Sequence, residues 1–187
     1  MNAIATPSTA SSSGQAPVPH RVSQPHMVSQ FLIFSLAQEL FAVATLRVRE
    51  IIEYGNITSV PMMPAYIRGV INLRGAVVPV IDLNARFGRD RTDISRRTCV
   101  VILEVQAHED THVLGIVVDA VSAVRQIDST DVEPAPSFGT HIRADFIEGI
   151  AKVKGQFVIL LDLGKVLSVD EIALLGEVDT RPVPTES

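Results

Sequence analysis

Short apolar runs separated by turn residues fill the chain from about residue 29 to residue 163. The runs are five to seven residues long and rich in Val, Ile, Leu and Phe, which is typical of β-strands. Glycines bound several of them, as expected for tight turns. The predicted strands are Phe31–Leu36, Leu40–Thr45, Val77–Ile81, Cys99–Val105, Val113–Val118 and Phe157–Leu161. We therefore predict a mainly β fold.

Helix signals are few and short. Asp82 follows a predicted strand and can cap a helix over Leu83–Phe87, which ends before a glycine. Ser168 and Glu171 form a capping box that opens a short C-terminal helix, predicted over residues 169–175. Neither segment is long enough to dominate a domain.

One segment of the chain occurs twice. Ile67–Phe87 aligns without a gap to Ile147–Leu167 at an offset of 80 residues, and both copies carry a basic residue before a glycine and a later Asp-Leu pair. A weaker correspondence relates Phe41–Ile51 to Leu114–Val124. A repeated unit of about 70–80 residues is too long for a solenoid and suits two similar small barrels.

The domain boundaries follow from this repeat and from composition. Residues 1–28 contain four of the eleven prolines and no aromatic residue, so we expect a disordered N-terminal tail. The folded body is predicted over residues 29–176, and a flexible C-terminal tail over 177–187. Within the body we place one barrel at roughly 40–90 and a second at roughly 98–163, with the seam near 88–98.

Composition narrows the function classes. Hydrophobic residues make up 47% and charged residues 20% of the chain, and the net charge is −5, which describes a soluble globular protein. A negative charge, 5% aromatic residues and no Trp argue against a nucleic-acid binder, including an oligonucleotide-binding barrel. No membrane-spanning run or signal peptide is visible, and the single cysteine fits a reducing compartment. We expect a cytoplasmic protein.

The run from His108 through Glu109 to His112 matches the HExxH pattern of zinc proteases, and Glu133 follows at a plausible distance for a third ligand. That chemistry needs both histidines one turn apart on a helix. Here strand-like segments flank the motif on both sides, which places it at a hairpin tip. The zinc-dependent hydrolase is therefore the enzyme alternative, and we interpret the motif as a chance match in a polar turn.

No other group of residues forms a catalytic arrangement. Cys99 lies in an apolar run, where a buried structural thiol is expected. Asp82 and Asp162 each follow a strand, so we interpret them as helix caps rather than as a carboxylate pair. An arginine-rich stretch with interspersed aspartates fits a solvated connector between the barrels. Its arginines are Arg86, Arg89, Arg91, Arg96 and Arg97. We expect no enzyme, no metal and no cofactor, and a protein that works by presenting surfaces.

The segment Val60–Gly75, VPMMPAYIRGVINLRG, which continues into Val78–Leu83, VPVIDL, resembles the signature of CheW-like chemotaxis coupling proteins. The remaining matching segments occur in the same order and spacing as in that family. They are Val48–Ile51, Leu114–Asp119, Val132–Pro136, Phe146–Gly149 and Val158–Leu163. The resemblance covers essentially residues 29–176 and agrees with the internal repeat.

The resemblance implies two similar five-stranded Src-homology-3-like β-barrels with short helices. It also implies a non-enzymatic adaptor between methyl-accepting chemotaxis receptor tips and the regulatory domain of the histidine kinase CheA. Such an adaptor is recruited to membrane-bound receptor arrays without inserting into the membrane, and we expect a monomer in isolation. A CheW-like scaffold of a parallel pathway, for surface sensing, pili or biofilm control, is the open alternative.

The resemblance also implies two sets of contact residues. Those expected to contact the receptor are Val48, Glu50, Arg74, Val121 and Val124. Those expected to face the kinase are Ile57, Val60, Arg68 and Gly69. Each has a structural alternative: Glu50 and Arg74 could form an ion pair that only holds the hairpin, the strand valines could belong to the core, and Gly69 could be needed for its backbone freedom.

Overall fold

The computed structural model describes residues 27–107, 110–136, 142–166 and Glu171. Most of the predicted N-terminal tail, the C-terminal tail and the rest of the predicted helix at 169–175 lie outside the described residues. The first strand begins at Val28, the last residue of the predicted tail.

The described residues include eleven strands and two short α-helical segments. In chain order they are β1 (Val28–Leu36), β2 (Glu39–Ala44), β3 (Val48–Glu53), β4 (Ile67–Leu73), β5 (Ala76–Asp82), α1 (Leu83–Arg86), β6 (Cys99–Ala107), β7 (Asp110–Val118), β8 (Ala120–Asp128), β9 (Val132–Glu133), β10 (Ile147–Val153), β11 (Gln156–Leu161) and α2 (Leu163–Val166). The mainly β prediction is confirmed, and Asp82 caps α1 by accepting a hydrogen bond from the Ala85 N–H at 3.3 Å.

The strands form two sheets, in the orders β8-β1-β2-β11-β10-β9 and β3-β6-β7-β5-β4. In the first sheet β8 and β9 are the two edge strands, and they are consecutive in the chain, joined by one 3₁₀ turn. This bent segment therefore connects both edges and closes the sheet into a barrel. In the second sheet the chain beyond β3 pairs back onto β4 through a bridge between Thr58 and Val70. Closure removes exposed sheet edges and produces two small barrels.

The predicted barrel boundaries at 40–90 and 98–163 are wrong, because the strands are divided between the two barrels differently along the chain. One consists of β3 to β7, residues 48–118, and is called the continuous barrel here. The other combines β1 and β2 with β8 to β11 and is called the split barrel. The chain changes barrel at Thr45–Arg47 and at Asp119, not at 88–98.

Two hairpins, β1–β2 and β6–β7, are buried on both faces. Along β1, Phe31 and Ile33 belong to the core inside the split barrel, whereas Leu32, Phe34 and Leu36 belong to a central cluster between the barrels. Strand β6 alternates in the same way between the interior of the continuous barrel and the central cluster. Because both faces of these strands are buried, the strands appear in the sequence as unbroken apolar runs rather than as alternating ones.

A row of phenylalanines runs through the central cluster. The ring centroids of Phe34 and Phe41 are 6.2 Å apart, those of Phe41 and Phe87 are 5.9 Å apart, and those of Phe87 and Phe146 are 6.1 Å apart. Aromatic pairs at these distances attract beyond their burial. Because Phe41 lies in β2 and Phe87 follows α1, the row connects the two barrels.

The sequence repeat is also a structural repeat. In each copy two strands form a hairpin followed by a helix, and a bulge lies at the same place, next to Ile67 in β4 and next to Ile147 in β10. The turn residues Arg74 and Lys154 have φ angles of 53° and 50°. The two copies therefore share backbone geometry, and their functional differences come from side chains.

We predict that Phe41→Ala lowers the free energy of unfolding by about 3–5 kcal/mol, because it removes a fully buried ring from the central cluster. Urea denaturation followed by circular dichroism measures the loss. NMR signals from both barrels should disappear in a single transition. The matched control is Phe157→Ala, at a ring that is 68% exposed, with an expected loss below about 1 kcal/mol. Separate transitions for the two barrels would contradict the role given to this cluster.

Candidate partner-binding surfaces

Glu50 and Arg74 form an exposed, two-pronged ion pair. The Arg74 Nη1 atom lies 2.9 Å from Glu50 Oε1, and Nη2 donates to Oε2 at 3.0 Å. Arg74 occupies the two-residue turn between β4 and β5 together with Gly75, and both have positive φ, as a type I′ turn requires. The side chain of Arg74 is 79% exposed, so this pair presents a fixed guanidinium to solvent.

The three valines predicted to contact the receptor differ in exposure. Val48 and Val121 are partly buried and pack against the central cluster, as the core interpretation expected. Val124 is 48% exposed. A one-residue bulge follows Val48 in β3, so that Glu50 pairs with Ile102, whose side chain lies in the core of the continuous barrel. The structure thus joins Glu50 to Arg74 directly and brings Val48 and Val121 to one shared cluster.

Arg68, predicted to face the kinase, turns inward. Its Nε donates to Asp82 Oδ2 at 3.0 Å, Nη2 donates to the Thr92 carbonyl, and its side chain is only 15% exposed. Asp82 is fully buried and also accepts from the Thr92 N–H and hydroxyl, each at 2.9 Å. A buried charge needs such partners, so Arg68 anchors the connector after α1.

Sequence reasoning identified Asp82 as a cap but missed this network. The repeat held a signal: the residue that aligns with Arg68 in the second copy is Glu148, and the aligned Asp162 instead contacts Lys165 at 3.2 Å. The capping aspartate therefore has a basic partner on the preceding hairpin in one copy, whereas in the other copy its basic partner lies on the following helix. This difference distinguishes a buried pair from an ordinary exposed cap.

Gly69 has a structural role. Its φ is +146°, and a Cβ built there would lie 2.1 Å from the Thr58 carbonyl oxygen. Thr58 and Val70 exchange two backbone hydrogen bonds at this point, where the chain closes the continuous barrel. Ile57, beside it, packs against the core of that barrel. Backbone approach therefore explains why this position is glycine.

Val60 is partly buried, and it lies in the long loop between β3 and β4. Two positions later Met62 is fully exposed and has a φ of 63°. Sequence reasoning did not select Met62, because an exposed apolar side chain in a loop has no periodic signal. Its full exposure makes it an available contact next to Val60.

The arginine-rich stretch is not simply a solvated connector. Arg86 Nε donates to the Val166 carbonyl at 2.7 Å and Nη2 to Glu171 Oε2 at 3.0 Å, while its guanidinium lies 4.9 Å from the Tyr66 ring centroid. Arg89 pairs with Glu39 of β2. These side chains tie the chain after β5 to parts of the split barrel, so the solvated interpretation was wrong for them.

Tyr66 belongs to the same group. Its hydroxyl donates to Glu171 Oε1 at 2.9 Å. Partial burial, this hydrogen bond and the negative charge of Glu171 raise the pKa of Tyr66 to about 12, although Arg86 opposes the shift. Glu171, the one described residue of the predicted C-terminal helix, is therefore held against the residues beside α1.

Ala107 at the end of β6 pairs with Asp110 at the start of β7, so these two strands form a hairpin. His108 and Glu109 lie outside the described residues. His112 belongs to β7 of the continuous barrel and Glu133 to β9 of the split barrel, so these two candidate ligands lie in different sheets. In the part of the chain that the structure describes, no three His, Cys, Asp or Glu side chains come together as a metal site would require.

Cys99 begins β6 and is only partly buried, and its thiol donates to the Arg97 carbonyl at 3.1 Å.

Among the described residues, none of the helices has the length and apolar character needed to cross a bilayer.

The family model described as "CheW-like domain" matches residues 30–171, most of the chain. The chain belongs to the CheW-like family. Family membership agrees with the two-barrel architecture and the repeat, and it places the protein in chemotaxis signalling as a scaffold.

Individual relatives support the same assignment. "Chemotaxis protein CheW" of Klebsiella aerogenes is 36% identical over 80% of this chain and 87% of its own length, and that of Rhizobium meliloti is 32% identical over 76% and 89%. The crystal structure of the scaffolding protein TtCheW from Thermoanaerobacter tengcongensis is 36% identical, with a TM-score of 0.69 over 81% of this chain and 95% of that one.

We predict that Gly69→Ala costs at least about 2 kcal/mol of stability, because the new methyl group must displace the Thr58 carbonyl. Gly75→Ala is the matched control. It also has a positive φ but open space around the added Cβ, so about 1 kcal/mol is expected. Urea denaturation compares the two. Equal losses would show that Gly69 is not needed for barrel closure.

We predict that Tyr66 titrates with a midpoint of about 12 in a Tyr54→Phe variant, where it is the remaining tyrosine. Phenolate absorbance measures the midpoint, and Glu171→Gln should lower it toward the ordinary 10.0. Because folding raises this pKa, the stabilisation is present below pH 10 and is lost as pH rises toward about 12. A midpoint near 10 with and without Glu171 would contradict the contact, provided circular dichroism shows a folded chain.

Proposed function

We propose that this CheW-like protein is a non-enzymatic adaptor that couples methyl-accepting chemotaxis receptors to the histidine kinase CheA. It works in the cytoplasm and is recruited to receptor arrays. The observation that carries the proposal is the exposed Glu50–Arg74 pair, at the positions where the resemblance to the family expects receptor contact. Membership of a scaffold family supports the same function.

The receptor surface centres on Arg74. Glu50 holds its guanidinium in one orientation, which lowers the entropy lost when a partner binds. The guanidinium has five N–H donors, and those not used by Glu50 suit a carboxylate or carbonyl group on a receptor helix. Val124 adds exposed apolar area, and Val48 and Val121 support the surface from the central cluster.

The kinase surface lies on the loop between β3 and β4. Of the predicted kinase-facing residues, Ile57, Arg68 and Gly69 make the internal contacts described above. Val60 is partly buried in this loop and is the residue that we assign to the kinase contact. Met62 extends the apolar area of this loop. The core of a protein interface is depleted of charged residues, so this apolar patch suits a partner contact.

Coupling between the two partners needs no chemistry in the adaptor. A scaffold changes kinase activity when its contacts are more favourable in one state of the assembly than in the other. The central cluster joins both barrels in one packed body, so a shift at the receptor surface can reach the kinase surface.

The charge exchange Glu50→Arg with Arg74→Glu separates receptor binding from a purely structural ion pair. If the pair only holds the hairpin, the exchanged pair restores function. We expect it not to, because a receptor surface that fits a cation meets a carboxylate instead. Arg74→Ala should weaken receptor binding about fivefold or more while stability changes by less than about 1 kcal/mol.

The measurement is reconstitution of purified protein with receptor cytoplasmic fragments and CheA from the same genome, reading receptor binding, kinase binding and kinase activation separately. Arg74→Ala should keep kinase binding, whereas Val60→Asp should lose kinase binding and keep receptor binding. Rescue by the charge exchange would overturn the receptor role of Arg74. Failure of the wild-type protein to bind either partner would overturn the proposed coupling function.

A further inference from the structure

A shallow cavity of about 210 Å³ lies at the open end of the split barrel, between β8 and the β10–β11 hairpin. Apolar side chains form its floor, and polar and basic side chains surround it. The floor is lined by Ile33, Leu40, Ala123, Val153 and Val158, and the remaining lining residues are Ser122, Arg125, Lys154 and Gln156. None of these lining residues is acidic, although the chain carries a net charge of −5.

The corresponding end of the continuous barrel carries a glutamate where this cavity has an alanine. In the split barrel Ile33 pairs with Ala123 immediately after a one-residue bulge. In the continuous barrel Ile102 pairs with Glu50 at the same point of an equivalent bulge. Glu50 neutralises the hairpin arginine of its barrel. Ala123 leaves both space and an unneutralised cation at the corresponding position.

The two barrels also differ two residues further along the same edge strand. Phe31 pairs with Arg125 in the split barrel, where Val100 pairs with Ile52 in the continuous barrel. Ile52 packs against the core of its barrel. Arg125 is instead a cation at the cavity rim, and within the described part of the chain its side chain donates only to the Val124 carbonyl, at 3.4 Å.

The hairpin cation is kept in both barrels but paired in only one. Lys154 aligns with Arg74 in the repeat and has nearly the same φ. Arg74 binds Glu50, whereas neither Lys154 nor Arg125 forms an ion pair with another of the residues that the structure describes. Two free cations beside an apolar floor are complementary to a carboxylate with a neighbouring apolar group.

We propose that this cavity, which we call the split-barrel mouth, binds an acidic peptide segment of a partner protein. A Glu or Asp side chain of the segment binds Arg125 and Lys154, and an adjacent apolar side chain covers Ile33 and Val158. The volume favours a peptide over a free small molecule, because pockets that enclose small ligands usually hold about 300–1,000 Å³. The site uses none of the residues assigned to the receptor or kinase, so it is independent of the proposed function.

The test is an NMR shift titration of the ¹⁵N-labelled full chain with an end-capped Leu-Glu-Leu-Glu-Leu peptide. Shifts should concentrate at Ala123, Arg125 and Lys154. The same peptide with Gln in place of Glu should bind at least about threefold more weakly, since it lacks the charge that the two cations attract. Equal affinity for both peptides, or no shifts at these residues, overturns the proposal.

The variants place the side chains of the continuous barrel at the equivalent positions of the split barrel. Ala123→Glu supplies the glutamate and Arg125→Ile the apolar plug, and each should reduce peptide affinity at least about threefold. Lys154→Gln, in an exposed turn, keeps the test valid if either variant fails to fold. Lys152→Gln is the matched control, because it removes one charge from the same hairpin at a residue that does not line the cavity.

Two further comparisons test whether binding is specific to this cavity and to a peptide. If Lys152→Gln weakens binding as much as Lys154→Gln, the attraction is general charge and the site is overturned. If hexanoate, a free carboxylate with an aliphatic chain, binds as tightly as the peptide, the mouth is a small-molecule site and the peptide proposal is wrong. Weak hexanoate binding with selective loss in the Lys154 variant supports peptide docking.

Discussion

A hairpin that is apolar on both faces has to be covered on both sides, and two such hairpins determine this architecture. β1–β2 and β6–β7 each place one face inside a barrel and the other against the central cluster. One sheet cannot cover both faces, because side chains alternate across a strand. Two barrels therefore pack together around the hairpins, and the split barrel borrows its first hairpin from the start of the chain. The two barrels therefore share one buried cluster.

The same constraint separates internal contacts from available ones. Arg68 and Gly69 lie where the chain closes the continuous barrel and its connector, so their side-chain space is used by Asp82 and Thr58. Arg74 lies at a turn that projects beyond the barrel, and its ion pair with Glu50 remains exposed. Arg68 and Gly69 are therefore occupied by internal contacts, whereas Arg74 remains available to a partner.

Duplication kept the framework and changed the ends of the barrels. Both copies have the same hairpin and bulge, followed by a helix. Their side chains differ at equivalent strand positions: Glu50 and Ile52 lie in the continuous barrel, whereas Ala123 and Arg125 line a cavity of the split barrel. One scaffold can therefore present different surfaces to different partners.

The sequence by itself determined the β content, the short cap at Asp82, the repeat and the family, because strand propensity, capping and ordered motifs are local properties. The tertiary structure alone decided which hairpin completes which barrel. An apolar run such as Phe31–Leu36 shows that both faces are buried but not which segment covers each face. Long-range pairing likewise decided that Arg68 is internal while Arg74 is exposed, since both are arginines next to glycines in one strand-and-turn motif.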